Sequence, residues 1–168
     1  APLIVFDDAD METAVDGCMV AKMRNLGEAC TAANRIYVHE NVAEEFKDKF
    51  SQRMGSLKVG NGLDKTVDVG PLVNAETRDK VAYFVKDAIE KGAELSVGGE
   101  SIDGPGFYYP PTVLFNVPDS SECLNDEIFG PVAAIQTFKD TDDVINRANN
   151  TEYGLVAYVF TEDMKKGM

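Results

Sequence analysis

Residues 3–23, LIVFDDADMETAVDGCMVAKM, contain the pattern that decides the fold class. Leu3 to Phe6 form a short apolar run typical of a buried strand, and the acidic residues 7–10 supply a turn and a capping group for a helix. Apolar residues then recur at helical spacing, and Gly27 is a typical helix stop signal. A strand followed at once by a helix is the repeating unit of α/β folds.

The rest of the chain continues this alternation of strands and helices. Further strands are predicted over 36–38, 95–97, 113–117, 132–138 and 155–160, and further helices from about Asn41, from about Asn74 and over 141–148. The glycines near residues 98 and 105 mark loops and do not form a phosphate-binding loop. The sequence therefore predicts an α/β fold with a largely parallel sheet.

Composition narrows the classes of partner and site. With 168 residues, 44% of them hydrophobic, the chain is expected to form one compact domain. A net charge of -13 disfavours binding to nucleic acid or to an anionic membrane, and no apolar run approaches the roughly 20 residues that cross a bilayer. Cys18, Cys30 and Cys123 have no metal-binding or dithiol spacing, so we expect no metal site and a cytoplasmic location.

Cys30 is the candidate nucleophile among the three cysteines. It lies just past a predicted helix, and Arg24 and Arg35 are near it in the chain. A cysteine is reactive when its thiolate is exposed near positive charge or backbone N–H groups. Cys18 lies on the apolar stripe of the helix, and we interpret it and Cys123 as structural residues.

Three segments carry a resemblance to a known family. Residues 24–35, RNLGEACTAANR, resemble the cysteine signature of the aldehyde dehydrogenase superfamily, whose spaced residues are matched by Asn25, Gly27, Glu28, Cys30 and Arg35. Residues 126–132, DEIFGPV, and 149–155, NNTEYGL, are similar to two further family motifs in the same order. The resemblance implies the family's three-layer catalytic domain over 1–168, with the N-terminal cofactor domain and a C-terminal segment outside this chain.

The resemblance also implies a mechanism and its residues. In the family the cysteine thiolate adds to an aldehyde, hydride passes to NAD or NADP, and an activated water hydrolyses the thioester. Cys30 takes the place of the nucleophile, and its backbone N–H is expected to help hold the oxyanion. Glu127 matches the residue that binds the nicotinamide ribose, and Phe129 matches an aromatic near the nicotinamide. Whether the cofactor is NAD or NADP stays open.

The substrate is suggested by Arg24, six residues before the nucleophile. The succinate-semialdehyde dehydrogenase branch of the family carries an arginine at this spacing for the distal carboxylate of the substrate, and a guanidinium group suits a carboxylate because it can donate two parallel hydrogen bonds. The alternative is a solvated helix residue and another aldehyde. Family members form dimers or tetramers, so we expect a homo-oligomer.

The sequence leaves alternative roles open for Glu28, for His39 and for the chain as a whole. Glu28 is close enough to Cys30 to suggest a general base, but its family position usually holds Gln, which favours a structural or tuning role. The family's base is expected to lie upstream of Ala1, so the isolated chain is predicted to be inactive. His39 could pair with Cys30, although an exposed strand-end residue is the simpler interpretation. A noncatalytic thiol-bearing sensor or interaction module is the second function class.

Overall fold

The computed structural model describes residues 1–168. Six strands and five α-helices follow one another along the chain: β1 (Pro2–Val5), α1 (Met11–Met23), β2 (Arg35–His39), α2 (Ala43–Gly55), α3 (Ala75–Glu90), β3 (Glu94–Val97), β4 (Thr112–Phe115), β5 (Val132–Phe138), α4 (Thr141–Asn149), β6 (Tyr158–Phe160) and α5 (Met164–Gly167). Two short 3₁₀ turns lie at Arg24–Gly27 and Glu122–Leu124. None of the helices is long and apolar enough to cross a membrane.

The six strands form one sheet in the order β3-β4-β5-β2-β1-β6. Every neighbouring pair is parallel except β3 with β4. Parallel neighbours need crossover connections, and α1 supplies one by running between β1 and β2. The α/β prediction with a mostly parallel sheet is therefore confirmed.

Alternate residues of the strands face two separate helical layers. Leu3 and Val5 of β1 belong to a core cluster with α1 and α2, whereas Ile4 points to the opposite face, where it packs with α4. On that same opposite face, Val132 of β5 packs with α3. Because side chains alternate along a strand, one sheet buries both of its faces. The result is the predicted arrangement of three layers.

The helix boundaries follow the capping residues. The side chains of Asp10, Asn74 and Asp140 accept hydrogen bonds from backbone N–H groups in the first turns of α1, α3 and α4. These oxygens satisfy donors that have no partner inside the helix. In these three helices the turn residue before the apolar stripe thus fixes where the helix begins, whereas Val42 before α2 provides no side-chain cap.

One predicted strand is shorter than expected. The apolar run 155–160 predicted a strand, but only Tyr158–Phe160 pairs with β1. Leu155 and Val156 instead lie in the loop before β6 and line a cavity. α5 and the 3₁₀ turns were not predicted, because segments of three or four residues are too short to show a period.

The segments that match the family motifs gather at the amino-terminal edge of the sheet. Cys30 precedes β2, Glu127 precedes β5 and Val156 precedes β6. Since these strands are parallel, the three segments that lead into them lie at the same edge of the sheet. His39 ends β2 at the opposite edge, roughly 16 Å away for a strand of about five residues, so a pair between Cys30 and His39 does not form.

The core layer between α2 and the sheet gives a stability prediction. Phe50 is fully buried and stacks on Phe46 with ring centroids 5.5 Å apart. Phe50→Ala is expected to lower the free energy of unfolding by about 3–5 kcal/mol, because it leaves a cavity in a packed layer. Urea denaturation followed by circular dichroism measures the change. Val73→Ala, at a side chain 67% exposed, is the control and should stay within about 0.5 kcal/mol.

Candidate active site

Cys30 and Glu127 line the same cavity, which has a volume of about 250 Å³ and is called the Cys30 cavity below. The starts of β1 and β2 form one wall, and the loop after α4 forms another. Its other lining residues are Ala1, Pro2, Asn34, Arg35, Leu124, Asn125, Asp126, Thr151, Tyr153, Gly154, Leu155 and Val156. The structure thus brings together two residues that the sequence placed 97 positions apart.

A tight left-handed turn places Cys30 at the surface. Asn25, Leu26 and Gly27 have φ angles of 48°, 61° and 77°, so the chain leaves the axis of α1 abruptly. The Asn25 side chain holds the turn by donating from Nδ2 to the Glu28 carbonyl oxygen at 2.9 Å. Cys30 is exposed, and its backbone N–H makes no hydrogen bond within the chain. Both the thiol and this donor are therefore free to meet a ligand.

Gly27 lets the Cys30 segment touch the Glu127 segment, and Gly130 lets the Glu127 segment pack against α3. A Cβ atom on Gly27 would lie 2.3 Å from the Gly130 carbonyl oxygen, and a Cβ on Gly130 would lie 2.5 Å from a methyl group of Val81. Neither position has room for a side chain. Phe129, beside Gly130, also has a positive φ of 53°. The close approach fixes the distance between the turn at residues 24–30 and the loop at residues 126–132.

Glu28 is engaged in holding a neighbouring loop. Its Oε1 accepts a hydrogen bond from the Val73 backbone N–H at 3.1 Å. A carboxylate tied to the loop before α3 is badly placed to take a proton from a thiol or a water next to Cys30. The contact favours the structural interpretation of Glu28 over the general-base interpretation.

Glu127 presents an uncommitted carboxylate to the cavity. Lys80 donates to the Glu127 backbone carbonyl at 3.1 Å, but the side-chain oxygens form no ion pair and no hydrogen bond. Such an acceptor can receive hydrogen bonds from hydroxyl groups of a ligand. Phe129 is half-buried and is not among the residues that line the cavity.

Arg24 lies outside the Cys30 cavity, in a neighbouring groove of about 590 Å³ called the Arg24 groove below. Its guanidinium group is exposed and forms no ion pair or hydrogen bond within the chain. The groove runs between α1 and β6 and also contains Thr31, whose carbonyl oxygen accepts a hydrogen bond from the Tyr158 hydroxyl at 2.9 Å. The dipeptide Cys30–Thr31 therefore borders both openings, with Glu127 on one side and Arg24 on the other.

Lys22 is a buried amine beneath the Cys30 cavity, and it was not predicted from the sequence. It is 0% exposed, and its Nζ donates to Asn34 Oδ1 at 3.0 Å. Burial lowers the pKa of Lys22 to about 7, and the nearby Glu127 carboxylate partly offsets that effect. A signal was available, because Lys22 lies four residues after Cys18 and so continues the apolar stripe of α1.

The other two cysteines are buried. Burial raises the pKa of the Cys123 thiol to about 12 and raises the pKa of the Cys18 thiol further. Both thiols therefore stay protonated near neutral pH, as the structural interpretation expected. No group of three or more His, Cys, Asp or Glu side chains is arranged to hold a metal ion.

The fold and the cavity describe a three-layer α/β domain whose accessible reactive group is a thiol. Residues 1–168 match the model of the aldehyde dehydrogenase family. The chain therefore belongs to that family, and the resemblance found in the sequence is confirmed.

Individual relatives support the assignment. A succinate-semialdehyde dehydrogenase of Paenarthrobacter nicotinovorans is 51% identical over 99% of this chain and 37% of its own length. A glutarate-semialdehyde dehydrogenase of Pseudomonas putida is 42% identical over 99% of this chain and 34% of its own. The solved structure of an NADP-dependent enzyme of Escherichia coli is 43% identical, with a TM-score of 0.96 over 99% of this chain and 34% of that one. This chain spans about a third of the length of these relatives.

The burial of the cysteines predicts selective alkylation. Iodoacetamide at pH 8 should label Cys30 at least about 100-fold faster than the two buried cysteines, because the thiolate is the reacting form and must be reachable. Mass spectrometry of tryptic peptides over time measures the three rates. Cys30→Ser is expected to abolish the fast label, whereas Cys123→Ala should leave it intact. Equal labelling of Cys18 in the native chain would contradict the buried placement.

The lowered pKa of Lys22 predicts how stability changes with pH. The unfolded lysine keeps its ordinary pKa near 10.4, so between about pH 7 and pH 10 the unfolded chain binds more protons than the folded chain. The unfavourable free energy of burying the charged amine is thus fully present below about pH 7, and it decreases as the pH rises and the folded lysine loses its proton. The free energy of unfolding of the natural chain should increase relative to that of Lys22→Met over this range. Urea titrations at pH 7, 8, 9 and 9.5 measure both chains, and a constant difference would show that the amine titrates normally.

Proposed function

We propose that this chain carries the nucleophile and part of the cofactor site of an NAD- or NADP-dependent aldehyde dehydrogenase that oxidises succinate semialdehyde to the carboxylic acid. The observation that carries the proposal is the placement of an exposed Cys30 and an uncommitted Glu127 carboxylate in one cavity, in a chain of this family. The activity belongs to the whole protein, since the chain spans 37% of its relative's length.

Cys30 supplies the covalent step in this proposal. The Sγ of its thiolate adds to the aldehyde carbon, a C–S bond forms and the carbonyl oxygen gains the negative charge. The unpaired backbone N–H of Cys30 is a donor next to that oxygen. Donors that point at developing charge are a large part of catalysis in such additions. Thioester hydrolysis afterwards frees the thiolate and releases the acid.

The Cys30 cavity fits one end of a nicotinamide dinucleotide. Its volume of about 250 Å³ is below the roughly 300–1,000 Å³ of pockets for drug-sized ligands, so it has room for only part of such a molecule. Glu127 can accept hydrogen bonds from the two hydroxyls of a ribose. Such a cofactor, when bound, would supply the hydride acceptor for the carbon attached to Cys30. Phe129, next to Gly130 in the chain, is proposed to pack beside the nicotinamide end of the cofactor. This role stays a prediction.

The hydrolytic base is proposed to come from outside these residues. The cavity carboxylates, Asp126 and Glu127, lie on the proposed cofactor side, and Glu28 is tied to Val73. The isolated chain is therefore proposed to react at Cys30 without turning over. A separate cofactor domain and a homodimer or homotetramer of the whole protein likewise stay predictions.

Arg24 is proposed to bind the distal carboxylate of the substrate. The Arg24 groove and the Cys30 cavity lie on two sides of Cys30–Thr31, so an aldehyde carbon at the thiol can have its other end in the groove. The guanidinium group has no partner within the chain. Relatives named as succinate- and glutarate-semialdehyde dehydrogenases act on aldehydes that carry such a carboxylate.

The substrate proposal is tested with Arg24→Leu in the full-length protein that contains this chain. The ratio kcat/KM for succinate semialdehyde should fall by about 10- to 150-fold, as expected for the loss of a charged hydrogen-bonding pair. The value for butanal, which has the same carbon chain and no carboxylate, should change by less than about 3-fold. Initial rates of cofactor reduction at 340 nm measure both.

The control is Arg78→Leu, an arginine on α3 that pairs with Asp79. It should leave both substrates unaffected. Equal losses for the two aldehydes in Arg24→Leu would remove the carboxylate role. If the full-length protein reduces neither NAD nor NADP with any aldehyde while Cys30 still alkylates, the noncatalytic thiol module becomes the better interpretation.

A further inference from the structure

Packing alone does not account for the burial of Lys22. A lysine on the last turn of a helix usually extends its amine to solvent. Here the amine is fully enclosed, has no carboxylate within ion-pair distance and uses one hydrogen bond, to Asn34. A buried amine without a counter-charge is unfavourable. The hydrogen bond to Asn34 is the specific interaction that this arrangement provides.

That hydrogen bond fixes the orientation of the Asn34 amide. Lys22 Nζ donates to the oxygen Oδ1 of Asn34, so the Nδ2 group of the same amide points the other way. Asn34 is 91% buried (9% exposed) and lines the Cys30 cavity. Its Nδ2 donates to no acceptor in the chain, and the atom is still accessible to solvent. A free N–H donor therefore faces the cavity.

We propose that Asn34 is a cofactor-binding residue that donates from Nδ2 to an oxygen of the nicotinamide nucleoside, and that Lys22 is the positioning residue that keeps the donor turned towards the cavity. The inference rests on the proposed function of the Cys30 cavity. It deepens that function by adding a donor to the acceptor that Glu127 provides. A ligand rich in hydroxyl and carbonyl oxygens, such as a nucleoside, can use both groups at once.

The donor is tested by two substitutions of Asn34 in the full-length protein. Asn34→Asp keeps the shape and an acceptor for Lys22 but removes the donor, and Asn34→Leu removes the donor without adding charge. Each should weaken binding of NADH or NADPH, whichever binds the natural protein more tightly, by about 5- to 10-fold, the effect of one lost hydrogen bond. Enhancement of the reduced nicotinamide fluorescence measures the Kd without turnover. The KM of the cofactor should rise in parallel, with kcat changed by less than about 2-fold.

The positioning role is tested by a double-mutant cycle with Lys22→Met. In the natural background this substitution should raise the cofactor Kd by about 3- to 5-fold, because the amide becomes free to flip. In the Asn34→Leu background it should have no further effect. The thermal midpoint of Lys22→Met should stay equal or rise, since a buried amine is removed. Lys86→Met, at an exposed pair with Glu90 on α3, is the matched control.

Each outcome decides the inference. Unchanged Kd values in both Asn34 variants overturn it, and equal effects of Lys22→Met in the two backgrounds overturn the positioning role. If the natural protein binds neither NADH nor NADPH, this inference and the cofactor part of the proposed function both fail. Binding that depends on Asn34 in a protein that oxidises no aldehyde supports this inference and rejects only the proposed reaction.

Discussion

The contact between Gly27 and the Gly130 carbonyl is the constraint on which the site depends. It joins the turn that exposes Cys30 to the loop that carries Glu127, two segments that are distant in the chain. A methyl group on Gly27 would separate them, and the left-handed turn 25–27 would lose its only residue without a Cβ, whereas a methyl group on Gly130 would clash with Val81 of α3. The contact fixes the separation of the two backbone segments, so the thiol and the carboxylate are both presented to the same cavity.

The elements that could be predicted are those with a long period or a clear boundary. The strand and helix of residues 3–23 were predicted well, because an apolar run, an acidic cap and a terminal glycine agree there. The apolar run that ends in β6 was misjudged at Leu155 and Val156. Composition favours a strand at these residues, but they line a cavity at the edge of the sheet, where Leu155 is 70% exposed, and no local pattern distinguishes a cavity wall from a buried strand.

The site residues also differ in how well the sequence predicted their positions. Cys30 was expected at a surface break and lies there, because a helix end next to glycine exposes the residues that follow. Arg24 was expected beside the nucleophile, yet three successive positive φ angles turn the chain between them and place Arg24 in a separate groove. Lys22 was overlooked because its charge suggested solvent. Its place on the apolar stripe of α1 was a local signal for burial, but no local pattern reveals its hydrogen bond to Asn34.

The location of the cavity at the amino-terminal edge of the sheet has an electrostatic consequence. Ligands of open α/β sheets usually meet the carboxyl ends of strands, where helix N-termini favour negative charge. Here α4 ends beside Arg35, which lines the cavity, and the carbonyl groups of its last turn carry a partial negative charge that disfavours a thiolate nearby. The Arg35 guanidinium group donates hydrogen bonds to two of these carbonyl groups, those of Arg147 and Ala148, at 3.1 Å each. The arginine of the cysteine signature thus neutralises a helix end that would otherwise repel the charge the nucleophile must carry.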